Sequence, residues 1–141
     1  MIGDSLPKAI GKDLNGSIGT VPGTDSPGAT KFNDIAKANN FKAGPYTKES
    51  YDSAALIMLA MQAANSTNSN DFKSKVMDVA NAPGEKIYPG ELAKGLKLLS
   101  EGKEIDYVGA SAVELIGGGE SAGNFAEILI DNQKVTTVGY K

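Results

Sequence analysis

The segment Thr47–Ala64 constrains the fold of this chain most, because it is a long and almost uninterrupted apolar run. After Ser53, Gln62 is its only polar residue. Such a pattern leaves no solvated stripe, so we expect a helix that is covered on every side. A membrane-spanning helix needs about 20 apolar residues, and this run is shorter. The segment therefore predicts a buried core helix.

The flanks of this segment carry helix-boundary signals. Thr47 is a favourable N-cap residue, and Glu49 and Asp52 lie where acidic side chains complement the positive end of the helix dipole. Residues 65–70 are all polar and prefer turns to helix interiors. The helix should begin at Thr47 and end at about Ala64.

Composition excludes several classes of function. The 141 residues carry 14 lysines and 17 acidic residues, for a net charge of -3 and a pI near 4.9, so no basic face for nucleic acid is expected. The chain contains neither cysteine nor histidine, which removes thiol chemistry, imidazole catalysis and the usual zinc sites. We predict no enzyme activity, no metal and no cofactor. A chain of this length predicts one domain.

Helices should dominate the middle of the chain. Ser26 followed by Pro27 predicts an N-cap and first turn for a helix that runs to about residue 39, with Phe32, Ile35 and Ala36 facing inward. Apolar spacing predicts two further helices, at residues 71–80 and 91–100.

Strands are expected at both ends of the chain. Residues 15–21, 112–116 and 124–130 have strand-like composition, and residues 131–133 should join the last of these to a strand at residues 134–138. An isolated hairpin is marginally stable in water. We therefore expect an α/β fold with a helical middle, in which the two ends of the chain meet in one sheet.

Two clusters resemble catalytic motifs, but simpler readings are favoured. The glycine run at residues 117–119 lacks the lysine and hydroxyl residue of a phosphate-binding loop, which favours an ordinary loop. Glu101, Glu104 and Asp106 are sequence neighbours rather than acids fixed across a cleft, which favours a solvated surface.

Four tyrosines could line a small-molecule pocket: Tyr46, Tyr51, Tyr88 and Tyr107. The alternative is that they pack at helix ends with their hydroxyl groups in water. We favour that alternative, because tyrosine is commonly half-buried.

An ordered set of segments resembles the last third of periplasmic branched-chain amino acid binding proteins, the Leu/Ile/Val-type substrate-binding subunits of ABC transporters. These segments are residues 51–57, 80–86, 88–91 and 101–111, with residues 15–26 resembling the strand that returns toward the other lobe. The resemblance covers essentially the whole chain.

This resemblance implies part of a type I periplasmic-binding-protein fold, whose two lobes close on a ligand. Residues 1–22 and 110–141 would belong to the C-terminal lobe, and residues 31–107 to the N-terminal lobe. The chain would cross between lobes at hinges formed by Val21, Pro22 and Gly23 and by Gly109 and Ala110.

The resemblance also implies a transport function. The chain would capture a branched-chain amino acid or similar small solute and deliver it to a membrane permease. Most of the family's ligand-binding groups precede the part that this chain resembles, which leaves Asp4 and Ser5, with the pocket tyrosines Tyr46 and Tyr51, as candidate ligand-binding residues. Faces left uncovered by absent strands predict homo-oligomers formed by segment exchange.

Two readings of the N-terminus remain open. Its first residues show neither the basic region nor the apolar stretch of an export signal. A full-length relative would be periplasmic or extracellular, in which case Met1 is not the native start. The alternative is an intracellular sensory or protein-interaction domain built from the same lobe.

Overall fold

The computed structural model describes residues 4–141. The chain divides into two compact units, one formed by Met1–Asp25 with Gly123–Lys141 and the other by Ser26–Ala122. The elements in chain order are α1 (Ser5–Ile10), a 3-10 helix (Lys12–Leu14), β1 (Ile18–Pro22), α2 (Pro27–Ala38), α3 (Thr47–Ala64), α4 (Ser69–Phe72), α5 (Lys75–Ala80), β2 (Glu85–Ile87), α6 (Leu92–Ser100), β3 (Ile105–Tyr107), β4 (Leu115–Gly117), β5 (Glu120–Ser121), β6 (Phe125–Asp131) and β7 (Lys134–Tyr140).

The first unit contains an antiparallel three-stranded sheet in the order β1-β6-β7. Ile18 of β1 lies opposite Leu129 of β6. Every second residue of β6 is buried, because Ala126, Ile128 and Ile130 share one face of the sheet. The two ends of the chain therefore meet in one sheet, as predicted.

The hairpin between β6 and β7 is also confirmed. Asp131 pairs with Lys134, and the two residues between them, Asn132 and Gln133, both have positive φ angles of 47° and 62°. This conformation matches the twist of the flanking strands in a two-residue hairpin loop. β7 extends two residues beyond the predicted end, to Tyr140.

The second unit is built around α3. Its core consists of buried residues from α3, α5, β2 and β3: Ala55, Leu56, Leu59, Ala60, Val79, Ala80, Ile87, Ile105 and Tyr107. Leucines of α6 pack against this cluster, and so do Phe72 and Val76. The apolar residues from whose spacing these helices were predicted therefore face the core.

The bounds of α3 are confirmed, but its predicted burial on every side is wrong. Ile57 is 44% exposed and Met58 is 42% exposed. Elements α4, α5 and α6 contact the helix, and its buried apolar residues belong to the core cluster on that side. A helix that is apolar on every side can be fully buried, but the number of elements that pack against it determines how much of its surface is buried.

The predicted N-cap of α3 is also wrong. Tyr46 occupies that position, in a left-handed conformation with a φ of 60° and no side-chain cap. The hydroxyl of Thr47 instead closes the preceding turn, since it accepts a hydrogen bond from Gly44 N at 2.9 Å and donates one to Gly44 O at 2.8 Å.

Helix α2 follows the predicted boundary signals. The Ser26 side chain accepts a hydrogen bond from Ala29 N at 3.2 Å, and Pro27 is the first helical residue. Phe32 and Ala36 are buried on its inner face. By contrast, the single helix predicted at residues 71–80 is two short helices, α4 and α5, and Asn68 is the N-cap of the first.

A parallel pair of strands in the second unit was not predicted from the sequence. β2 and β3 pair from Glu85 opposite Ile105 to Ile87 opposite Tyr107. Each strand has only three residues, of which two in β2 and one in β3 are charged, so the segments look like turns in the sequence. The strand predicted at residues 112–116 lies at Leu115–Gly117, where it forms a small hairpin with β5.

Among residues 4–141, no helix combines the length and the apolarity that a membrane span requires.

Candidate binding site

The four predicted ligand-binding residues lie in two different units. Asp4 and Ser5 are neighbours at the start of α1 in the first unit, and both are exposed. Oδ1 of Asp4 accepts a hydrogen bond from Val135 N at 3.1 Å. Tyr46 and Tyr51 lie at the start of α3 in the second unit. A ligand-binding role for these residues remains a prediction.

Tyr51 is the more constrained of the two tyrosines. Its ring meets that of Phe32 edge to face, with 5.2 Å between centroids. Its hydroxyl accepts a hydrogen bond from Gly90 N at 3.1 Å. Tyr51 therefore joins α3 both to α2 and to the turn before α6, whereas Tyr46 is exposed.

An apolar pocket of about 430 Å³ lies beside this aromatic pair. Residues of α2, the following loop and the start of α3 line it: Phe32, Ile35, Ala36, Asn39, Phe41, Thr47, Ser50 and Tyr51. None of these side chains is charged. The volume falls within the range of small-molecule sites.

A charged cluster lies at the turn before α6. Nζ of Lys31 is 2.9 Å from Oε1 of Glu91 and 4.4 Å from the centroid of the Tyr88 ring. Oε2 of Glu91 accepts a hydrogen bond from Tyr88 N at 3.1 Å. The hydrogen bond from Lys31 is the largest cause that lowers the pKa of Glu91. Both charged side chains are partly exposed, so solvent weakens the ion pair.

The most polar feature of the interior is the carboxylate of Asp52, which is only 2% exposed. Oδ1 accepts hydrogen bonds from the Tyr107 hydroxyl at 2.9 Å and from Ala110 N at 2.7 Å. Oδ2 accepts from Ser111 N at 2.7 Å and from the Ser111 hydroxyl at 2.6 Å. These donors compensate for burying the charge. We call this group the Asp52 cluster.

The Asp52 cluster was not predicted from the sequence. There, Asp52 was expected to complement the positive end of the helix dipole. The available signal was a single carboxylate two residues before a run in which Gln62 is the only polar residue. A charged residue on the buried side of such a helix needs partners. The donors lie 55 to 59 residues away in the chain, so the pattern itself does not name them.

Backbone geometry at Gly109 and Gly28 lets the cluster form. Gly109 has a φ of 69°, and a Cβ placed there would lie 2.6 Å from Oδ2 of Asp52. A Cβ on Gly28 would overlap the carbonyl oxygen of Gly109. Both positions therefore require glycine. Ala110, the next residue, is buried against Phe32 and Ala36.

The predicted hinge residues have defined surroundings. Gly109 and Ala110 lie within the second unit, where Asp52 binds the backbone of Ala110. Val21 and Pro22 are the last residues of β1, and Gly23 N donates a hydrogen bond to Asn124 O at 3.0 Å in the first unit. Their role as hinges remains a prediction.

The prediction that the tyrosine hydroxyl groups lie in water is wrong for Tyr107. Its side chain is buried, and its hydroxyl binds Asp52. Burial raises the pKa of Tyr107 well above its ordinary value, and the negative charge of Asp52 and the hydrogen bond to it raise it further.

The acidic cluster of the sequence does not form a shared site. Glu101 pairs with Lys103 at 2.7 Å on the surface, where the hydrogen bond raises the pKa of the lysine, and Asp106 lies in β3. Within the described part of the chain, no group of three or more acidic side chains is placed to hold a metal ion.

The fold is similar to that of a leucine-binding protein of known structure. No protein-family model and no curated protein matches this sequence. The crystal structure of the leucine-binding protein LivK from Thermotoga maritima matches 97% of this chain with a TM-score of 0.67 and 15% sequence identity. The chain has part of a type I periplasmic-binding-protein fold.

The similarity covers only part of the solved structure. The chain spans 34% of that protein's length, about a third. At 15% identity the likeness establishes the fold alone. The expected α/β class, with a helical middle and strands at both ends joining one sheet, is confirmed.

Proposed function

We propose that these residues are part of a solute-binding protein that captures a branched-chain amino acid, or a similar small solute, for the membrane permease of an ABC transporter. The observation that carries this proposal is the likeness in fold to a leucine-binding protein over 97% of the chain. The proposal places the finished protein in the periplasm or outside the cell.

The surroundings of Asp52 and Asp4 support the view that this chain supplies only part of an amino-acid binding site. An amino acid held in a cleft needs donors for its carboxylate and an acid for its ammonium group. Asp52 is buried, but both of its oxygens are occupied by protein donors. Oδ1 of Asp4 is likewise occupied by a backbone amide. The remaining groups would come from protein beyond these residues.

In this proposal the chain contributes to both lobes of a two-lobed receptor. Residues 1–22 and 110–141 would belong to one lobe and residues 31–107 to the other. Closure would rotate the backbone at Val21–Gly23 and at Gly109 and Ala110. Asp4, Ser5, Tyr46 and Tyr51 would be the chain's contributions to the cleft. Faces left uncovered would promote homo-oligomers by segment exchange.

The decisive test starts from the gene. If the reading frame continues upstream of Met1, the extended polypeptide should be titrated calorimetrically with leucine, isoleucine and valine. We expect a dissociation constant in the micromolar range or below. A reading frame that begins at Met1, or an extended protein that binds none of these amino acids and no other small solute, would contradict the proposal. The first of these results would favour an intracellular sensory or interaction domain.

A further inference from the structure

We propose that the apolar pocket between α2 and α3 is a binding site for a small neutral aromatic molecule, separate from any site for an amino acid. The pocket has a volume of about 430 Å³ and lies wholly within the second unit. The proposal goes beyond the transport function and does not depend on it.

The charge of the pocket determines the class of ligand. Its lining contains no lysine, aspartate or glutamate. A zwitterion would find no charged side chain in this lining to pair with either of its charges, so the pocket favours a neutral ligand. Phosphorylated and other ionic ligands are disfavoured for the same reason.

The polar side chains of the lining are already engaged with the protein backbone. Asn39 donates from Nδ2 to Ile35 O at 2.9 Å, and the Ser50 hydroxyl donates to Tyr46 O at 2.9 Å. The Thr47 hydroxyl is held by Gly44. A ligand with many hydrogen-bonding groups would therefore find few partners, whereas an apolar molecule gives up no hydrogen bonds to water by entering.

The aromatic side chains in the lining favour a ligand that contains an aromatic ring. Phe32 and Tyr51 already form an edge-to-face pair, and Phe41 is 54% exposed. Aromatic rings prefer edge-to-face and offset contacts with one another. A small ring can add such contacts without displacing a buried side chain.

The walls of the pocket are held in place without a ligand. The Asp52 cluster fixes Ala110, which packs against Phe32 and Ala36. The hydrogen bond from Gly90 fixes Tyr51. A preformed pocket reduces the ordering cost of binding. Eight residues line it, whereas a stable protein interface involves about 20–30 residues a side, so a small molecule fits better than a protein partner.

The test is a titration of the full chain with indole, followed by amide chemical shifts in two-dimensional NMR. We expect saturable shifts at Phe32, Ile35 and Tyr51, with a dissociation constant of about 1 mM or below. Leucine, as a zwitterion of similar size, should not move these amides. This control distinguishes binding in the pocket from binding at an amino-acid site. The indole result does not depend on whether the chain has an amino-acid site.

Two serines provide a matched pair of variants. Ser50 lines the pocket and Ser53 does not, yet both are exposed on α3 and both donate to the carbonyl four residues earlier. Ser50→Trp should fill the pocket and weaken indole binding at least tenfold, while Ser53→Trp should leave it unchanged. If Ser50→Trp fails to fold, Phe41→Ala serves as the second variant. Phe41 is exposed, and its truncation should weaken indole binding.

Three results would overturn the proposal. One is shifts that do not saturate and that spread over exposed apolar residues elsewhere. Another is equal binding by Ser50→Trp and Ser53→Trp when both are folded, or by Phe41→Ala and the unsubstituted chain. The third is a dimer in sedimentation that Ser50→Trp dissociates, because a second copy of the chain would then occupy the pocket.

Discussion

The hydroxyl of Tyr107 donates a hydrogen bond of 2.9 Å to Oδ1 of Asp52, and both side chains are buried. This contact joins the second turn of α3 to the last residue of β3. With the bonds from Ala110 and Ser111, it fixes the loop after β3 to the central helix. Charge-assisted hydrogen bonds of this kind are stronger than neutral ones and depend on geometry.

Removing the carboxylate should strongly destabilise the second unit. Asp52→Ala leaves the buried donors of Tyr107 and Ala110 without this acceptor, and it removes the same acceptor from the half-buried Ser111. We expect the free energy of unfolding to fall by at least about 3 kcal/mol, since each unsatisfied buried donor costs about 1–3 kcal/mol. Urea denaturation measures the change. The exposed Asp34→Ala is the control and should change stability by less than about 0.5 kcal/mol. Equal midpoints for both variants would contradict the role of the cluster.

Alkaline pH should destabilise the chain through Tyr107. In the unfolded chain a tyrosine loses its proton near pH 10, whereas burial and Asp52 keep Tyr107 protonated in the folded state. Above about pH 10 the unfolded state therefore binds fewer protons, and stability falls as pH rises.

A variant isolates this contribution. In Tyr107→Phe the fall should be shallower, by at most about 1.4 kcal/mol per pH unit for one proton. The surface pairs of Lys94 and Lys103, whose pKa values are also raised, are the same in both proteins and cancel in the comparison. Denaturation curves between pH 8 and about pH 11 measure the difference. Parallel pH profiles would show that Tyr107 is not protected from ionisation.

Close backbone packing predicts that any side chain at Gly28 lowers the stability of the second unit. Gly28→Ala would place a methyl group against the carbonyl of Gly109 and should lower the free energy of unfolding by at least about 2 kcal/mol. Gly44→Ala is the control, because its Cβ would meet Thr47 Oγ1 at an ordinary 3.9 Å. That change should alter stability by less than about 1 kcal/mol in either direction. Thermal denaturation of both variants tests the contrast, and a Gly28→Ala protein as stable as the control would refute it.

The two faces of α3 should respond differently to truncation. Leu59 is fully buried, so Leu59→Ala should cost about 2–5 kcal/mol. Met58 is on the exposed face, and Met58→Ala should cost less than about 1 kcal/mol. Chemical denaturation distinguishes these values. A loss for Met58→Ala as large as that for Leu59→Ala would mean that another chain covers this face in solution.

Local signals in the sequence predicted local structure well. The polar run after Ala64 predicted the end of α3, and Ser26 with Pro27 predicted the start of α2, because these residues act on the backbone beside them. The start of α3 lies at Thr47 as predicted, although Thr47 is not its N-cap. The joined sheet followed from the instability of an isolated hairpin.

Features that depend on distant partners were not predictable in this way. The role of Asp52 depends on donors more than 50 residues away, and the exposure of Ile57 depends on which elements surround α3. The β2–β3 pair consists of strands too short to show a period. The apolar pocket likewise combines residues of two helices and a loop, so no single motif marks it.

The proposed incompleteness of the binding site is tested most directly by calorimetric titration of the 141-residue chain alone with leucine, isoleucine and valine. Its buried carboxylate is occupied by protein donors, so no buried acid of the described residues is free to receive an ammonium group. We predict dissociation constants no better than about millimolar. Micromolar binding by the chain alone would contradict the account, and Asp4, Ser5, Tyr46 and Tyr51 would be the first residues to substitute.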